Sequence, residues 1–600
     1  MMKRIRKLIL LLAVAMSLVV PAKIASAQQN GLAYTPASLF MWTDKYVYQA
    51  GEPITLKFTG RANGDTTTLY TVVIYRQNNQ TGAKSYLFVS PLSGSSSPVD
   101  MWGRSPEQGF VQMYLGDTTK SVLVGSGGFL SSALSAPAES GMHTFVLELR
   151  DATGTRIVKS TYAKIGIVTG FDTLSGSISS DRTLVNTRAY NLSGVVTVTA
   201  GATLTIEPGT FLFGLPGSAP PSMLLVGVNG KINAAGTRSR PITMTSSQPI
   251  GSRAPGDWGG LVMLGRAPLN VTGGTNNIEG LAPSADTTFG GSDTTHNCGT
   301  LAYVRVEFGG SILSPNNEIN NVTWGGCGSG TVAHHVEARY GLDDMFEWFG
   351  GTSDAKYLVG QIGRDDFLDG QLGWSGRVQH AVMMAGTEVK SNKGIEMDNS
   401  EFDDRAAPQG KPQFYNVTFV GTGDVETTGF DENDSSAIYL RRGAGGVYNN
   451  MLLFNWIVNG VSIRNNSGST ATTDSISRGD LSMNGILMWD NGKASSRANT
   501  TDGQAADFGT TSNSVARSLL NGTIGNGRNI LTMDPLIRRP LYRSDPDFLP
   551  RAGSPIFRAN WVQPPDDGFF DQWARWSGAF GDVDWTEEWT IFAQETDLRP

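Results

Sequence analysis

Between Arg339 and Gly370 the chain reads RYGLDDMFEWFGGTSDAKYLVGQIGRDDFLDG. Two acidic pairs, Asp343-Asp344 and Asp365-Asp366, recur at an interval of about 22 residues, and each is followed at the same offset by another acid, Glu347 and Asp369. If the chain stacks these residues, their charges repel. Two unit charges about 5 Å apart cost several kcal/mol when partly shielded from water. A bound cation removes that cost. Ca²⁺ takes roughly six to eight oxygen ligands, which clustered carboxylates and turn carbonyls can supply. The candidate Ca²⁺ ligands are therefore Asp343, Asp344, Glu347, Asp365, Asp366 and Asp369, with Glu396 and Asp398 as outer candidates. A further acidic run, DNSEFDD, adds Glu401, Asp403 and Asp404.

The same residues support two other readings. One is a solvated acidic face whose turn aspartates cap backbone N–H groups. The other is acid–base catalysis on a polysaccharide, since paired carboxylates hydrolyse glycosides and Arg364, Lys390, Lys393 and Arg405 lie near the acids in sequence. The spacing singles out no acid–base pair. His334, His335 and His380 are three of five histidines. His334 and His380 fall about 10 Å apart if they sit two strands from each other, too far to share one metal. There is no His-Glu-x-x-His, paired Cys-x-x-Cys or Gly-x-Ser-x-Gly. GGCGSGT (325–331) lacks the lysine of a phosphate loop and reads as a tight corner.

For carboxylates one interval apart to meet, the chain must return over itself once per interval. After Gly170 it has the pattern for that. One strand type reads GGLVML, NNVTWG, DMFEWF, DFLDGQ, KGIEMD, SAIYLR and NGVSIR, with central apolar residues Val262, Val322, Phe346, Leu368, Ile395, Ile438 and Val461. A second runs beside it: AYVRVEFGG, AHHVEARYG, AKYLVGQIG, QHAVMMAG, FYNVTFVG, NNMLLFN and NGILMWD. Short strand types recurring at a period of about 22 residues describe a right-handed parallel β-helix, in which each coil hides its apolar side only against its neighbours. A propeller repeats at about 40 residues or more. This geometry stacks Glu347, Asp369 and Glu396, and Asp343-Asp344 over Asp365-Asp366. It can also bring Cys298 and Cys327, the only cysteines, together as a disulfide.

Upstream, FMWTDKYVYQAGEPITLKFTG, LYTVVIYRQ and HTFVLELRDATGTRIVKSTYAKIGIV alternate apolar and polar residues between Gly, Asn and Asp turns, the pattern of an immunoglobulin-like β-sandwich. MMKRIRKLILLLAVAMSLVVPAKIASAQQ has a basic start, an apolar run and a small-residue site, which predicts a signal peptide cleaved after Ala27 and export. No later segment is long and apolar enough to span a membrane as a helix. Glycine is about 12% of residues against a usual figure of about 7%. The net charge of −7 and the lack of a basic stripe exclude nucleic acid as a partner. The expected fold is all-β: a signal peptide (1–27), an immunoglobulin-like sandwich (28–170), a right-handed parallel β-helix (171–490), and a loop-rich segment ending in an aromatic-rich cap over the last coil (491–600). A sugar-binding surface is the sharper reading of that aromatic end, FFDQWARWSGAFGDVDWTEEWTIFAQ.

GDWGGLVMLGRAPLN, GTLAYVRVEFGG, NNEINNVTWGGCGSGT, DDMFEWFGGTSDAKYLV, DDFLDGQLGW and GAFGDVDWTEEW together resemble a family of large secreted bacterial β-helix proteins, some of them labelled lipoproteins or multidrug transporters. The resemblance runs from about Gly170 to the C-terminus and implies an extracellular or cell-surface β-helix, with no reaction implied. TDKYVYQAGEPITL also resembles the opening of macroglobulin-type domains, which act as spacers or binding modules. The functional expectation is a calcium-stabilised binding or structural protein whose partner is a polysaccharide or a cell-surface component. The alternative is a Ca²⁺-assisted polysaccharide lyase or glycoside hydrolase on the same scaffold.

Overall fold

The computed structural model describes residues 38–61, 69–87, 102–103, 111–114, 132–217, 219–314, 317–386, 391, 393–423, 435–491, 506–507, 519, 533–558 and 561–592. The predicted signal peptide, Lys390 and most of 491–532 lie outside them.

The N-terminal alternation folds as two facing sheets. Ser38–Thr43, Pro53–Arg61 and Ser132–Ser135 form an antiparallel sheet of three strands. Leu69–Asn78, Gly141–Arg150 and Ile157–Val168 form the centre of a larger one. Ile54 and Leu56 from the first sheet pack with Ile74, Phe145, Leu147, Ile165 and Ile167 from the second. The period of two has put every second residue inward.

The β-helix begins at once after Gly170. Phe171–Ile178 pairs in parallel with Ala189–Val198, and a single sheet of 24 strands winds onward from there. In the first strand type, Val322, Phe346, Leu368, Ile395, Ile438 and Val461 lie in one continuous register, as expected. Val262 is the exception. Leu261 pairs with Val322, so Val262 points outward with the neighbouring Leu264 and Phe349. In an all-apolar LVML the alternation cannot be read, and the neighbouring ladder decides the register. In the second type, Val304, Val336, Leu358, Ala381, Val417 and Met451 are also in register. The core runs along the axis and contains a stack of Trp324, Trp348 and Trp374, with centroids 4.9 and 4.4 Å apart.

Each strand of the second type bends at one residue. Tyr303, His335, Tyr357, His380, Asn416 and Asn450 all have φ between 48° and 58°, and the ladder skips them. Histidine and asparagine tolerate this left-handed conformation better than most residues. Stacked coil over coil, these corners turn the chain and project their side chains outward.

The C-terminal segment covers the flank of the coils. Phe548, Leu549, Ile556, Ala579, Phe580 and Trp589 pack onto the outward Val359, Val382, Met384, Val420, Leu452 and Phe454. Among the described residues these contacts run along the flank and reach Leu487 and Trp489 of the last strand of the second type. Outward residues of the second strand type are themselves apolar, and that stripe needs covering as much as an open end does. Cys298 and Cys327 form the disulfide, Cα atoms 5.9 Å apart, stapling one coil to the next.

Candidate functional site

The acidic ladder stands on the outward side of the first strand type. Phe346 and Trp348 point to the core, so Glu347 between them must point out, and the same holds for Asp369 and Glu396 one and two coils on. The turns before these strands also stack. Met345 N–H donates to the carbonyl of Asp366 at 2.9 Å, and Asp366 N–H donates to Asp344 Oδ1 at 2.9 Å. Asp343, Asp344, Glu347, Asp365 and Asp369 are therefore brought together, and the ladder is largely buried: Asp344, Glu347, Asp366, Glu396 and Asp398 are all under a tenth exposed.

Burial comes from loops that the repeat does not explain. Residues 266–297 carry a small hairpin, Thr275–Asn277 with Thr288–Gly290, and Ser311–Ser314 with Asn317–Ile319 form another. Their Leu269, Ile278, Phe289 and Ile319 pack on the outward Phe349 and Leu372. They bring in two further acids that the sequence reading missed, Glu279 and Glu318, both close enough to act on Asp343. Asn320 donates to Glu347 Oε2 through Nδ2, accepts from the Asp344 N–H at 3.0 Å, and so ties the second hairpin to the ladder. Gln371 Nε2 donates to Glu347 Oε1 at 3.3 Å.

The charges divide into two halves. On the later coils, cations already answer the acids. Lys393 Nζ is 2.6 Å from Glu396 and 3.5 Å from Asp366. Arg441 pairs with Glu396 and lies 3.0 Å from Asp398, and Arg442 lies 2.6 Å from Asp398. Burial works to raise Glu396, but Lys393 and Arg441 overcome it and hold its carboxyl below the ordinary value. Lys393, disfavoured by burial, is held well above its ordinary range by Asp366, Glu396 and Asp365. Of the described basic residues near the acids in sequence, only Lys393 does this. Arg364 is exposed and Arg405 pairs with Asp474 at 2.6 Å. Arg441 and Arg442 leave no sign in the sequence, since the long segment between Asp398 and Arg441 hides their coil register.

On the earlier coils the acids face one another. Asp343, Asp344 and Asp365 form one group, and Asp344, Glu347 and Asp369 a second, each offering carboxylate oxygens within 4.8 Å of one another. Burial, reinforced by Asp365, Glu318 and Glu279, pushes Asp343 up to about 8. Burial and neighbouring carboxylates push Asp344, Glu347 and Asp369 well above the ordinary range. Burial raises Glu279 to about 7. Asp369 Oδ1 has no hydrogen-bond donor among the described residues. Asp366 sits between the halves, turned to Lys393. The second acidic run does not join in: Asp398 is taken by the arginines, Glu401 and Asp403 are exposed, and Asp404 accepts from Asn466. All-oxygen donors of this kind suit hard divalent cations such as Ca²⁺.

The histidines belong to another column. His335, Tyr357 and His380 stack at the corner, and His334 Nδ1 lies 3.0 Å from His335 Nδ1.

With this architecture in place, comparison with known proteins is decisive for the family. The description of a pectate-lyase-like β-helix domain matches residues 176–531, more than half of the chain. The chain belongs to the pectate-lyase-like β-helix family. The match opens in the first coil, so the N-terminal sheets and the flank-covering C-terminal segment of this family member lie outside it. No curated protein matches the chain. Among solved structures, the family 28 exopolygalacturonase of Yersinia enterocolitica aligns over 77% of this chain and 87% of its own at 10% identity and a TM-score of 0.19, a likeness too slight to bear on chemistry. No described helix is long and apolar enough to cross a membrane.

Proposed function

We propose that this is an exported β-helix protein directed at polysaccharide, whose acidic ladder holds Ca²⁺. The observation that carries the reading is the division of the ladder. Asp366, Glu396 and Asp398 have Lys393, Arg441 and Arg442 within ion-pair distance, and next to them Asp344, Glu347 and Asp369 converge with carboxylate oxygens within 4.8 Å of one another, Asp344 also meeting Asp343 and Asp365. A divalent cation supplies the charge that the chain's own side chains supply one coil on. Family membership supports polysaccharide as the partner. Calorimetric titration of Ca²⁺ into chelator-treated protein tests the reading. Binding heat that vanishes in Asp344→Asn is expected, and no heat in the native chain refutes it.

A second reading is favoured by one contact. Asp366, whose carboxyl burial pushes well above its ordinary range against the pull of Lys393, is hydrogen-bonded to Glu396, which Lys393 and Arg441 hold below its ordinary value despite burial. Neighbouring carboxyls whose environments drive their pKa values apart are a general acid and base in glycoside hydrolysis. Incubation with uronate-containing and neutral polymers decides it: new reducing ends or ultraviolet absorbance, abolished by Asp366→Ala, supports catalysis, and their absence leaves the binding role.

A further inference from the structure

The C-terminal segment carries a run of aromatic residues, and the structure sorts them. Trp589, Phe580 and Phe570 are buried, and Trp576, Trp585 and Phe592 are half-buried against the coils. Trp573 is 62% exposed and Phe557 39%. The two are linked through Trp576, with ring centroids 5.4 Å (Trp573 to Trp576) and 6.4 Å (Trp576 to Phe557) apart, so that three rings form a strip on the surface.

The strip is held rigidly from below. Tyr303, His335, Tyr357 and His380 stack along the corner column at 4.2, 4.4 and 4.9 Å, and Trp573 lies on His380 at 5.7 Å and 22°. Asp571 is fixed two residues away. Its carboxylate accepts from Lys356 Nζ and Tyr357 Oη, each at 2.9 Å, and its N–H donates to Gln379 at 2.7 Å. Asn416 Nδ2 donates to the carbonyl of Trp576 at 2.7 Å. Arg575, Gln563 and Asp566 stand exposed nearby in the same segment, and Gln563 Nε2 donates to the carbonyl of Gln572.

An exposed Trp needs no explanation by itself. Here, though, the segment hides its other aromatics and props this one on a column of rings. The size of the strip decides what fits. A large aromatic side chain offers about 150–250 Å², so the two exposed rings present on the order of 200 Å², far short of the ~800 Å² per partner of a stable protein interface. The exposed Trp573 ring, with Trp576 tilted 49° to it and Phe557 inclined 66° to Trp576, offers instead an apolar face with a polar rim that matches the C–H face and equatorial hydroxyls of a pyranose.

We infer that Trp573, Trp576 and Phe557 form a second carbohydrate-binding site, in which pyranose rings of a polysaccharide stack on the strip. It rests on the reading that polysaccharide is the partner. It is nevertheless separate from the acidic ladder, lying on a different strand column and beyond the family-matched residues, and it needs no metal.

Affinity electrophoresis of the full chain through gels containing neutral or uronate-containing polysaccharides, run with calcium and with chelator, tests it. At least one polymer retards the native chain in chelator. Trp573→Ala weakens that retardation about tenfold, Trp573→Phe retains most of it, and Trp573→Ala/Phe557→Ala abolishes it, with each variant still folded at the assay temperature by circular dichroism. Asp344→Asn leaves the chelator-resistant retardation intact. Retardation in chelator that survives the double substitution overturns the site, as does a native chain that no polymer retards in chelator. Retardation seen only with calcium and lost in Asp344→Asn overturns the strip and leaves the ladder reading standing.

Discussion

Calcium should protect this protein most at alkaline pH, and the ladder explains why. Asp343 has a folded-state value of about 8 against an ordinary 3.8 because burial and the neighbouring acids disfavour its charge. A folded value above the unfolded one means that the stability is fully present below about pH 4 and is lost as pH rises through about 8. Four units of difference correspond to on the order of 5 kcal/mol for that group, and the other raised acids of the ladder act in the same direction. Without a cation, the folded state therefore weakens steadily from mildly acidic to alkaline pH. With a cation, the ionised form is the ligand, and the penalty is offset. A site filled at a hundred times its dissociation constant adds about 2.7 kcal/mol. The assay is thermal unfolding at about pH 5, 7 and 9, in millimolar Ca²⁺ and in chelator. The midpoint should fall with pH in chelator, the calcium increment should be smallest at pH 5, and it should grow toward pH 9. Asp344→Asn, which keeps an oxygen to accept the Asp366 N–H but removes the charge shared by both groups, should flatten the fall in chelator and abolish most of the increment. Parallel pH curves with and without calcium would refute the reasoning.

Other outcomes follow from the same contacts. Asp571→Asn breaks the charged link to Lys356 and His380 while leaving an acceptor for Tyr357. A cost of about 1–3 kcal/mol is expected, read as faster proteolytic removal of the C-terminal segment. Because Lys356, His380 and Tyr357 hold Asp571 below the ordinary carboxylate value despite burial, this contribution is present above about pH 4 and is lost as pH falls further, so native and variant chains should converge in acid. Cys298→Ser with Cys327→Ser opens a loop of 29 residues, which should lower stability by about 3–4 kcal/mol in chemical unfolding. Trp348→Ala removes the middle ring of the interior stack, with both neighbours within 5 Å, and should cost about 3–5 kcal/mol.

The strand columns were legible because each must repeat an inward apolar residue, and where polar neighbours flank it, as in FEWF, LDGQ and GIEM, the side facing out is unambiguous. LVML offers no such contrast, and its register was misread by one residue. The stacked Asp and Glu of the ladder follow from the same periodicity. Glu279, Glu318, Arg441 and Arg442 do not, because they arrive from loops or from beyond long insertions whose lengths say nothing about where they return. The aromatic C-terminal run was visible as composition, but burial of some rings and exposure of Trp573 depend on the flank beneath them.

By itself, then, the sequence determined an all-β chain with a coil repeat and a vertical file of carboxylates, since backbone pairing and apolar burial act at a fixed local period. Only the tertiary structure decided which of those acids meet a cation of the chain and which face each other, and which aromatic rings stay open to solvent. Charge pairing and burial act between neighbours in space, and those neighbours are chosen by loop returns that no period encodes.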